Sequence, residues 1–492
     1  MIFPKKNDFI KNAKKGNVIP VWTEILADTE TPVSAFRKTV KGSYAWLLES
    51  VESGVSIGRY SFIGFDPYVI FRSYGKDIKI TENGKTTLFT SEDPLKELEC
   101  LVKRWIPCEI SSLDLPFWGG AVGFVSYDYV NFFERLPKIP KYSLGTPDLF
   151  FTLMKTLFAF DNLKRRLVII RNVFVSDDPE LDYQEAQESI ESVMYDLASG
   201  IEKKNIFLIP SEQDRSFVPE FEKESFLSAV EKIKNYIYRG DIFQAVISQR
   251  FNTVCDVDDF NIYRALRMIN PSPYMFYLKY DDLTVLGSSP EVMVQKTSDY
   301  VLVRPIAGTR PRGQTDSSDR ELEQIMKNDP KEKAEHLMLV DLGRNDIGRI
   351  SVPGTVSVED FMHVERYSHV MHMVTTVKGK PLPGLTLKDL IAATFPAGTV
   401  SGAPKIRAME IIEELEPVRR EIYAGLVGYL SFTGRFDSCI TIRTIVRYND
   451  RLFIQAGAGI VADSVPLNEY DEIINKSAAL KKAIEIARGG LV

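Results

Sequence analysis

Two pairs of glutamates with the same spacing lie far apart in this chain. Glu332 and Glu335 form one pair, and Glu469 and Glu472 form the other, each in a segment that we predict to be helical. Residues three apart lie on one helical face, so each pair directs both carboxylates to the same side. If the two helices converge, hard oxygen ligands meet, and these favour Mg²⁺ carrying an anionic substrate over zinc. A solvated helix face with local ion pairs would explain either pair alone.

A capping residue predicts where each helix begins. Asp329 followed by Pro330 is typical of a helix N-terminus. Asn468 precedes Glu469 in the same manner, and we predict that the second helix begins there. Lys476, seven residues after Glu469, adds a cation to the acidic face.

Further segments offer groups that bind anions. In residues 455–461, glycines let backbone N–H groups approach a carboxylate or phosphate, although a β-bulge would also need them. Residues 396–405 precede a helix, so Lys405 and a helix N-terminus can surround an anion or simply cap the helix. Arg443 is predicted inside a strand, where a buried arginine needs a partner. His372 lies on a β-branched run, where a single histidine is more often structural than catalytic.

Composition narrows the class of protein. The 492 residues carry 61 Lys and Arg against 67 Asp and Glu, a net charge of −6 with no block of like charge, which excludes a nucleic-acid-binding footprint. The four cysteines lack metal-ligand spacing, the N-terminus lacks the apolar core of a signal peptide, and no apolar run approaches the ~20 residues of a membrane span. We therefore expect a reduced, cytoplasmic protein without nucleic-acid or membrane partners.

Two domains are the simplest interpretation of the pattern of elements. Residues 1–205 mix β-rich segments with helices, and a polar linker is predicted around residues 200–220. A second domain, residues 220–487, opens with an amphipathic helix that ends at Gly240. The strand predicted next would place Phe243, Ala245 and Ile247 on its core face.

Long motifs in the second domain resemble those of the chorismate-utilising enzymes. They are Pro305-Ile-Ala-Gly-Thr-Arg310, Glu335-His-Leu-Met-Leu-Val-Asp-Leu-Gly-Arg-Asn-Asp346, Gly398-Thr-Val-Ser-Gly-Ala-Pro-Lys405, Gln455-Ala-Gly-Ala-Gly459 and Asn468-Glu-Tyr-Asp-Glu472. The resemblance implies an α/β (α+β) fold, with two large antiparallel β-sheets forming a sandwich flanked by helices. The first half would be regulatory and the second catalytic.

Two positions indicate which branch of the family the chain resembles. Ala307 stands where aminodeoxychorismate synthases commonly have a nucleophilic lysine, and Gln244 stands where isochorismate and salicylate synthases have a lysine that activates water. Neither residue can do that chemistry. The implied reaction is therefore formation of anthranilate and pyruvate from chorismate and ammonia. An aminodeoxychorismate synthase, or a tryptophan-binding regulatory subunit without activity, remains the alternative; a generic Mg²⁺-phosphate enzyme would not explain this pair of residues.

The resemblance also implies a role for individual residues. Glu335 and Glu472 would hold Mg²⁺. Glu332 and Glu469 would contact these two ligands or reach the ion through water. Glu291 would be the general acid, with a raised pKa; His372 would serve pyruvate elimination; and Thr399 would orient His372 or the substrate. The substrate-binding residues would be Gly308, Thr309, Tyr423, Arg443, Gly457, Ala458, Gly459 and Lys476.

Partners follow from the same resemblance. No cysteine lies in a glutaminase motif, so a separate glutamine amidotransferase subunit would supply the ammonia. L-Tryptophan would act as a feedback inhibitor at a site shared by the two halves. Its residues would be Leu48, Glu49, Ser50, Pro273, Tyr274 and Met275, for which hairpin and core packing is the alternative explanation.

Overall fold

A computed structural model describes residues 1–50, 58–108, 113–137, 139, 141–200, 215–367 and 370–490. The strands are β1 Val18–Leu26, β2 Tyr44–Glu49, β3 Tyr60–Tyr74, β4 Asp77–Glu82, β5 Lys85–Thr90, β6 Gly120–Val125, β7 Leu149–Asp161, β8 Arg166–Phe174, β9 Val218–Pro219, β10 Gln244–Val254, β11 Tyr274–Tyr280, β12 Leu283–Ser289, β13 Val292–Lys296, β14 Val301–Val303, β15 Ile306–Pro311, β16 Ser357–Arg366, β17 Val370–Gly379, β18 Gly402–Ala403, β19 Leu426–Ser431, β20 Phe436–Ile440, β21 Thr444–Tyr448 and β22 Arg451–Ile460.

The α-helices are α1 Lys6–Asn12, α2 Pro32–Thr39, α3 Pro94–Lys103, α4 Pro179–Ala198, α5 Lys223–Tyr238, α6 Asp259–Ile269, α7 Asp316–Asn328, α8 Pro330–Ile350, α9 Leu387–Thr394, α10 Lys405–Leu415 and α11 Pro466–Gly489. Short 3₁₀ helices cover Tyr127–Phe132 and Gly398–Val400. None of the helices within the described residues combines the length and apolarity that a membrane span needs.

The strands form two large antiparallel sheets that share the long strands β3 and β7. The first half of β3 pairs with β2 and its second half with β4, across a register shift between Pro67 and Val69. Likewise, β7 pairs with β6 near its start and with β8 near its end. Sheet one therefore runs β1-β8-β7-β3-β2-β11-β12-β21-β22-β10-β9, and sheet two runs β5-β4-β3-β7-β6-β19-β20-β13-β14-β17-β16. The predicted fold class is confirmed.

The two halves of the chain interleave in both sheets. In sheet one, β2 of the first half pairs with β11 of the second, and in sheet two β6 pairs with β19. Residues 201–214 of the predicted linker lie outside the described residues. The two segments that we assigned to one regulatory site, before Ser50 and around Tyr274, thus lie on neighbouring strands.

Apolar side chains fill the layer between the sheets, and helices cover the outer faces. The ring of Phe150 from sheet two stacks on Tyr280 from sheet one, with 4.1 Å between ring centroids. On the outside of sheet one, α4, α5, α6 and α11 pack in one apolar cluster, while α3, α8 and α9 pack on sheet two in another. A site built from both α8 and α11 must therefore lie where the two helix layers meet.

One prediction of core packing is wrong. Ala245 and Ile247 are fully buried, as expected for the core face of β10, but Phe243 is 73% exposed. The strand begins one residue later, at Gln244, so the alternation that buries Ala245 does not extend to Phe243.

Candidate functional site

The two acidic pairs lie on helices, as predicted. Asp329 caps α8, its side chain accepting hydrogen bonds from the backbone N–H groups of Lys331 and Glu332 at 2.9 and 3.3 Å. The predicted start of α11 at Asn468 is wrong, because the helix begins at Pro466. Proline needs no N–H partner in the first turn, and it starts the helix two residues earlier.

The carboxylates of the two helices influence one another. Burial raises the pKa of Glu335, and the negative charges of Glu332 and Glu472 raise it further. The pKa of Glu469 is also raised by burial and by Glu472. Glu472 on α11 thus lies within the electrostatic range of Glu335 on α8. The condition set from the sequence, that the two helices approach each other, is therefore met for Glu335 and Glu472.

The carboxylates of α8 and α11 are candidate ligands for a cation. Within the described residues, no three His, Cys, Asp or Glu side chains are arranged closely enough to hold a metal ion. Lys476 instead contacts the acidic group, with its Nζ 2.6 Å from a Glu472 oxygen. The donor set consists of oxygen atoms, and burial and nearby like charge raise the pKa of Glu335 and of Glu469, so the chemistry of these residues suits a hard divalent cation.

Glycines of β22 form a wall beside the acids, to which Lys476 connects them. The Lys476 Nζ donates to the Gly457 carbonyl at 2.9 Å, and a Cβ added at Gly457 would lie 2.7 Å from the Tyr423 hydroxyl oxygen. A Cβ at Gly459 would collide with the amide of Gln244. The side chain of Ala458 points the other way, into the core of sheet one, so only its backbone is available to a ligand. Glycine is required here because side chains already occupy the space that a Cβ would take.

Arg443 reaches this wall from a break between strands. The prediction that Arg443 lies inside a strand is wrong, because β20 ends at Ile440 and β21 begins at Thr444. Arg443 has a φ of 50°, which strains a residue other than glycine. The break frees its guanidinium from the sheet, and Nη1 donates to the Lys476 carbonyl at 3.4 Å.

His372 lies on β17, opposite β15. Its Nδ1 is 3.0 Å from the Gly308 carbonyl oxygen, which can only accept, so Nδ1 carries the proton and Nε2 the lone pair. Burial lowers the pKa of His372, and the charge of Arg443 lowers it further, so the ring is neutral near pH 7. Gly308 has a φ of +70°, and a Cβ there would lie 2.9 Å from Glu332. The side chain of Thr309 lies outside the described part of the structure.

Glu291 is a buried carboxyl group, 7% exposed, beside the turn that precedes α10. Burial raises its pKa to about 8, against hydrogen bonds from the Thr399 hydroxyl and the Ile306 backbone that lower it. The expected rise in pKa is confirmed. The Thr399 hydroxyl donates to Glu291 at 3.0 Å, so it orients this carboxyl group. The sequence did not predict this contact, and a role of Thr399 in orienting His372 or the substrate stays a prediction.

Lys405, a candidate anion ligand, is already paired. Its Nζ donates to Asp346 at 2.9 Å and to the Thr394 carbonyl at 3.2 Å. These contacts join α10 to α8 and α9, so Lys405 supports the turn that carries Thr399.

The two positions that distinguish branches of the family are both buried. Ala307 is 7% exposed and Gln244 is 6% exposed, and the Gln244 Oε1 has no hydrogen-bond partner within the described residues. Neither position supplies a group that can be a nucleophile or a base.

A second cleft, of about 1490 Å³ and partly open to solvent, lies between the halves of the chain. Its lining includes all six residues of the predicted tryptophan site: Leu48, Glu49, Ser50, Pro273, Tyr274 and Met275. Glu49 is held by Arg267, which donates to both of its oxygens at 3.0 and 3.1 Å. The predicted residues therefore meet in one cleft.

Two contacts near the site were missed from the sequence. Tyr367 lines the second cleft and its ring lies 5.4 Å from that of His372, so it joins the two sites. Arg420 forms a buried ion pair with Glu416 at 2.7 Å. The spacing of Glu416 and Arg420 was the only signal in the sequence, and it is typical of exposed helix pairs as well.

Comparisons with known proteins point to the same family as the motifs. The family model described as chorismate binding enzyme matches residues 46–482. The protein called anthranilate synthase component 1 in Aquifex aeolicus is 48% identical, over 97% of both chains. The crystal structure of anthranilate synthase component I from Streptococcus pneumoniae has a TM-score of 0.77 at 37% identity, covering 93% of this chain and 99% of that one. The menaquinone-specific isochorismate synthase of Escherichia coli, with a TM-score of 0.70 at 18% identity and coverage of 97% and 98%, shares the fold.

The pKa of Glu291 predicts a dependence of stability on pH. The folded protein keeps the proton between pH 4.5 and about 8 whereas the unfolded chain releases it, so stability is lost as pH rises through this window and levels off above it. The unfolding temperature of wild type relative to Glu291→Gln should fall over that range in calorimetry. Thr399→Val, which removes a hydrogen bond to the carboxylate, should extend the fall to higher pH. Parallel curves for wild type and Glu291→Gln would contradict the assignment.

Proposed function

Because the chain belongs to the chorismate binding enzyme family, we propose that it converts chorismate and ammonia to anthranilate and pyruvate, as the large subunit of an anthranilate synthase. The observation that carries this proposal is 48% identity to a protein of that name over 97% of both chains. The reaction is the first committed step of tryptophan biosynthesis.

The residues of the site support this reaction over others in the family. Ala307 cannot form the covalent bond that a lysine would make to the ring, which disfavours aminodeoxychorismate synthesis. Gln244 cannot activate water, which disfavours isochorismate synthesis. A subunit without activity would not be expected to keep Glu291 buried with a pKa of about 8.

Substrate binding is proposed to use both walls of the site. Glu335 and Glu472 would hold Mg²⁺, with Glu332 and Glu469 supporting it through water. The ion would neutralise the ring carboxylate of chorismate. At the glycine wall, Arg443, the Tyr423 hydroxyl and the backbone from Gly457 to Gly459 would bind the enolpyruvyl carboxylate. Gly308 and Thr309 would line the ring, and Lys476 would add positive charge.

The first step needs an acid, because hydroxide is a poor leaving group. Glu291 is protonated below about pH 8 and would give its proton to the C4 hydroxyl of the ring, which leaves as water while ammonia adds at C2. Thr399 holds the carboxyl group in place through its hydrogen bond.

The second step needs a base. His372 is neutral, and the proton on Nδ1 leaves the Nε2 lone pair to take the proton from C2. The bond between the ring carbon and the enolpyruvyl oxygen then breaks, and the ring becomes aromatic. The leaving group departs with the electron pair as the enolate of pyruvate, which takes up one proton on carbon to become pyruvate.

A glutamine amidotransferase subunit is the proposed source of ammonia, since the cysteines lack the motif of such an enzyme. L-Tryptophan is the proposed inhibitor, binding in the cleft that contains Ser50 and Tyr274. All four cysteines are free thiols, as suits the cytoplasm.

Product analysis tests the function. Purified chain with chorismate, Mg²⁺ and ammonium at mildly alkaline pH should give anthranilate and pyruvate by mass spectrometry, without a partner subunit. Aminodeoxychorismate would indicate the folate branch of the family, and isochorismate would contradict the argument from Gln244.

Replacing His372 should separate the two steps. In His372→Ala the aminated intermediate should accumulate, and pyruvate release should fall by about 10²-fold or more, because the base for elimination is lost. His363→Ala, which removes an exposed histidine from the neighbouring strand β16, is the matched control and should give anthranilate normally. Normal pyruvate release by His372→Ala would disprove this role.

Replacing Ser50 should remove feedback inhibition. A phenyl ring at this position would occupy the part of the cleft beside residue 50, so anthranilate formation by Ser50→Phe should continue in tryptophan concentrations that stop the wild type. Ser43→Phe, at the exposed residue just before β2, is the control and should remain sensitive. Unchanged inhibition of Ser50→Phe would place the inhibitor elsewhere.

A further inference from the structure

We propose that Arg420 is a positioning residue for the reaction, one that holds three separate segments of the substrate site in register; the inference rests on the proposed function. Arg420 is 3% exposed and follows α10 in the chain. Its side chain makes four hydrogen bonds, to the Glu416 carboxylate at 2.9 and 2.7 Å, the Val400 carbonyl at 2.7 Å and the Val246 carbonyl at 2.6 Å. A planar guanidinium can satisfy these acceptors together, whereas an ammonium group cannot.

The first segment is β10, which forms one face of the site against β22. On its other edge, β10 pairs with β18 at Gln244 and Ala245, and with β9 at Phe251 and Asn252. The stretch between has no strand beside it on that edge within the described residues. Arg420 binds the Val246 carbonyl in this gap.

Glu416 supplies the other hydrogen-bond partner along this unpaired edge of β10. It is 3% exposed, and one of its oxygens accepts from both the backbone N–H and the hydroxyl of Ser248, each at 2.7 Å. Ser248 lies opposite Gly457 in the sheet, and Val246 lies opposite Gly459. The ion pair therefore takes the place of a missing strand behind the glycines proposed to bind the enolpyruvyl carboxylate.

The other two segments carry side chains of the site. Val400 follows Thr399, whose hydroxyl donates to Glu291, so the bond to the Val400 carbonyl fixes the turn that orients the proposed acid. The guanidinium also lies 5.6 Å from the ring centroid of Tyr423, whose hydroxyl packs against Gly457. One side chain thus sets the distance between the groups proposed for acid catalysis and for carboxylate binding.

The chain offers a matched control in Arg488. It is also buried, at 7% exposed, pairs with Asp256 at 2.9 Å and donates to the Val254 carbonyl of the same strand β10 at 2.9 Å. Arg488 lies 16 residues beyond Glu472 on α11, about 24 Å along the helix axis. Its replacement should cost stability without disturbing the site.

The test compares Arg420→Lys with Arg488→Lys by steady-state kinetics with ammonium as the nitrogen source, and by thermal unfolding. We expect similar losses in unfolding temperature for the two variants. Only Arg420→Lys should raise the KM for chorismate, by about tenfold or more, and lower kcat as well, because both carboxylate binding and the acid depend on it. If Arg420→Lys does not fold, Glu416→Gln, which keeps the shape of the pair, should show the same rise in KM.

Each result decides the inference. The variant of the pair that folds, Arg420→Lys or Glu416→Gln, is compared with the wild type and with Arg488→Lys. If all three have the same KM for chorismate, Arg420 is merely structural and the inference is overturned. An equal rise in KM for the Arg488 variant would overturn it too. If the wild type forms no anthranilate at all, the proposed function fails, and this inference fails with it.

Discussion

Repulsion between carboxylates on two helices is the constraint on which the site depends. Glu335 on α8 and Glu472 on α11 are brought within range of each other, and burial and like charge raise the pKa of Glu335. Such an arrangement costs stability unless a cation is nearby. Lys476 supplies part of that charge through its contact with Glu472. In the proposed function, Mg²⁺ supplies the positive charge that the glutamates of α8 and α11 require. The same ion would bind a carboxylate of the substrate.

The fold meets this requirement by placing one helix on each sheet. Helix α8 packs on sheet two and α11 on sheet one, and the shared strands β3 and β7 hold the sheets together. Glycines of β22 let the side chains of Tyr423 and Gln244 pack directly against the strand. The buried pair of Arg420 and Glu416 supplies partners for backbone groups of β10 where no strand lies beside it. The Ser248 N–H and the Val246 carbonyl thereby gain the partners that buried backbone groups need.

Features that depend on neighbouring residues could be predicted from the sequence. Features that depend on contacts between distant residues could not. The spacing of Glu332 and Glu335 and the cap at Asp329 depend on neighbouring residues, and both were correct. The break at Arg443 was missed because an arginine gives no local signal of a left-handed backbone. Arg420 was missed because spacing cannot tell a buried pair from an exposed one. Phe243 shows the same limit, since alternation does not say where a strand begins.

Direct measurement of Mg²⁺ binding tests the central claim that the two helices form one cation site. Isothermal titration of the wild-type chain, with chorismate present, should show one Mg²⁺ per chain. The double variant Glu335→Gln, Glu472→Gln should bind it at least about tenfold more weakly, because it loses charged ligands from both helices. Equal binding by the double variant and the wild type would contradict the claim.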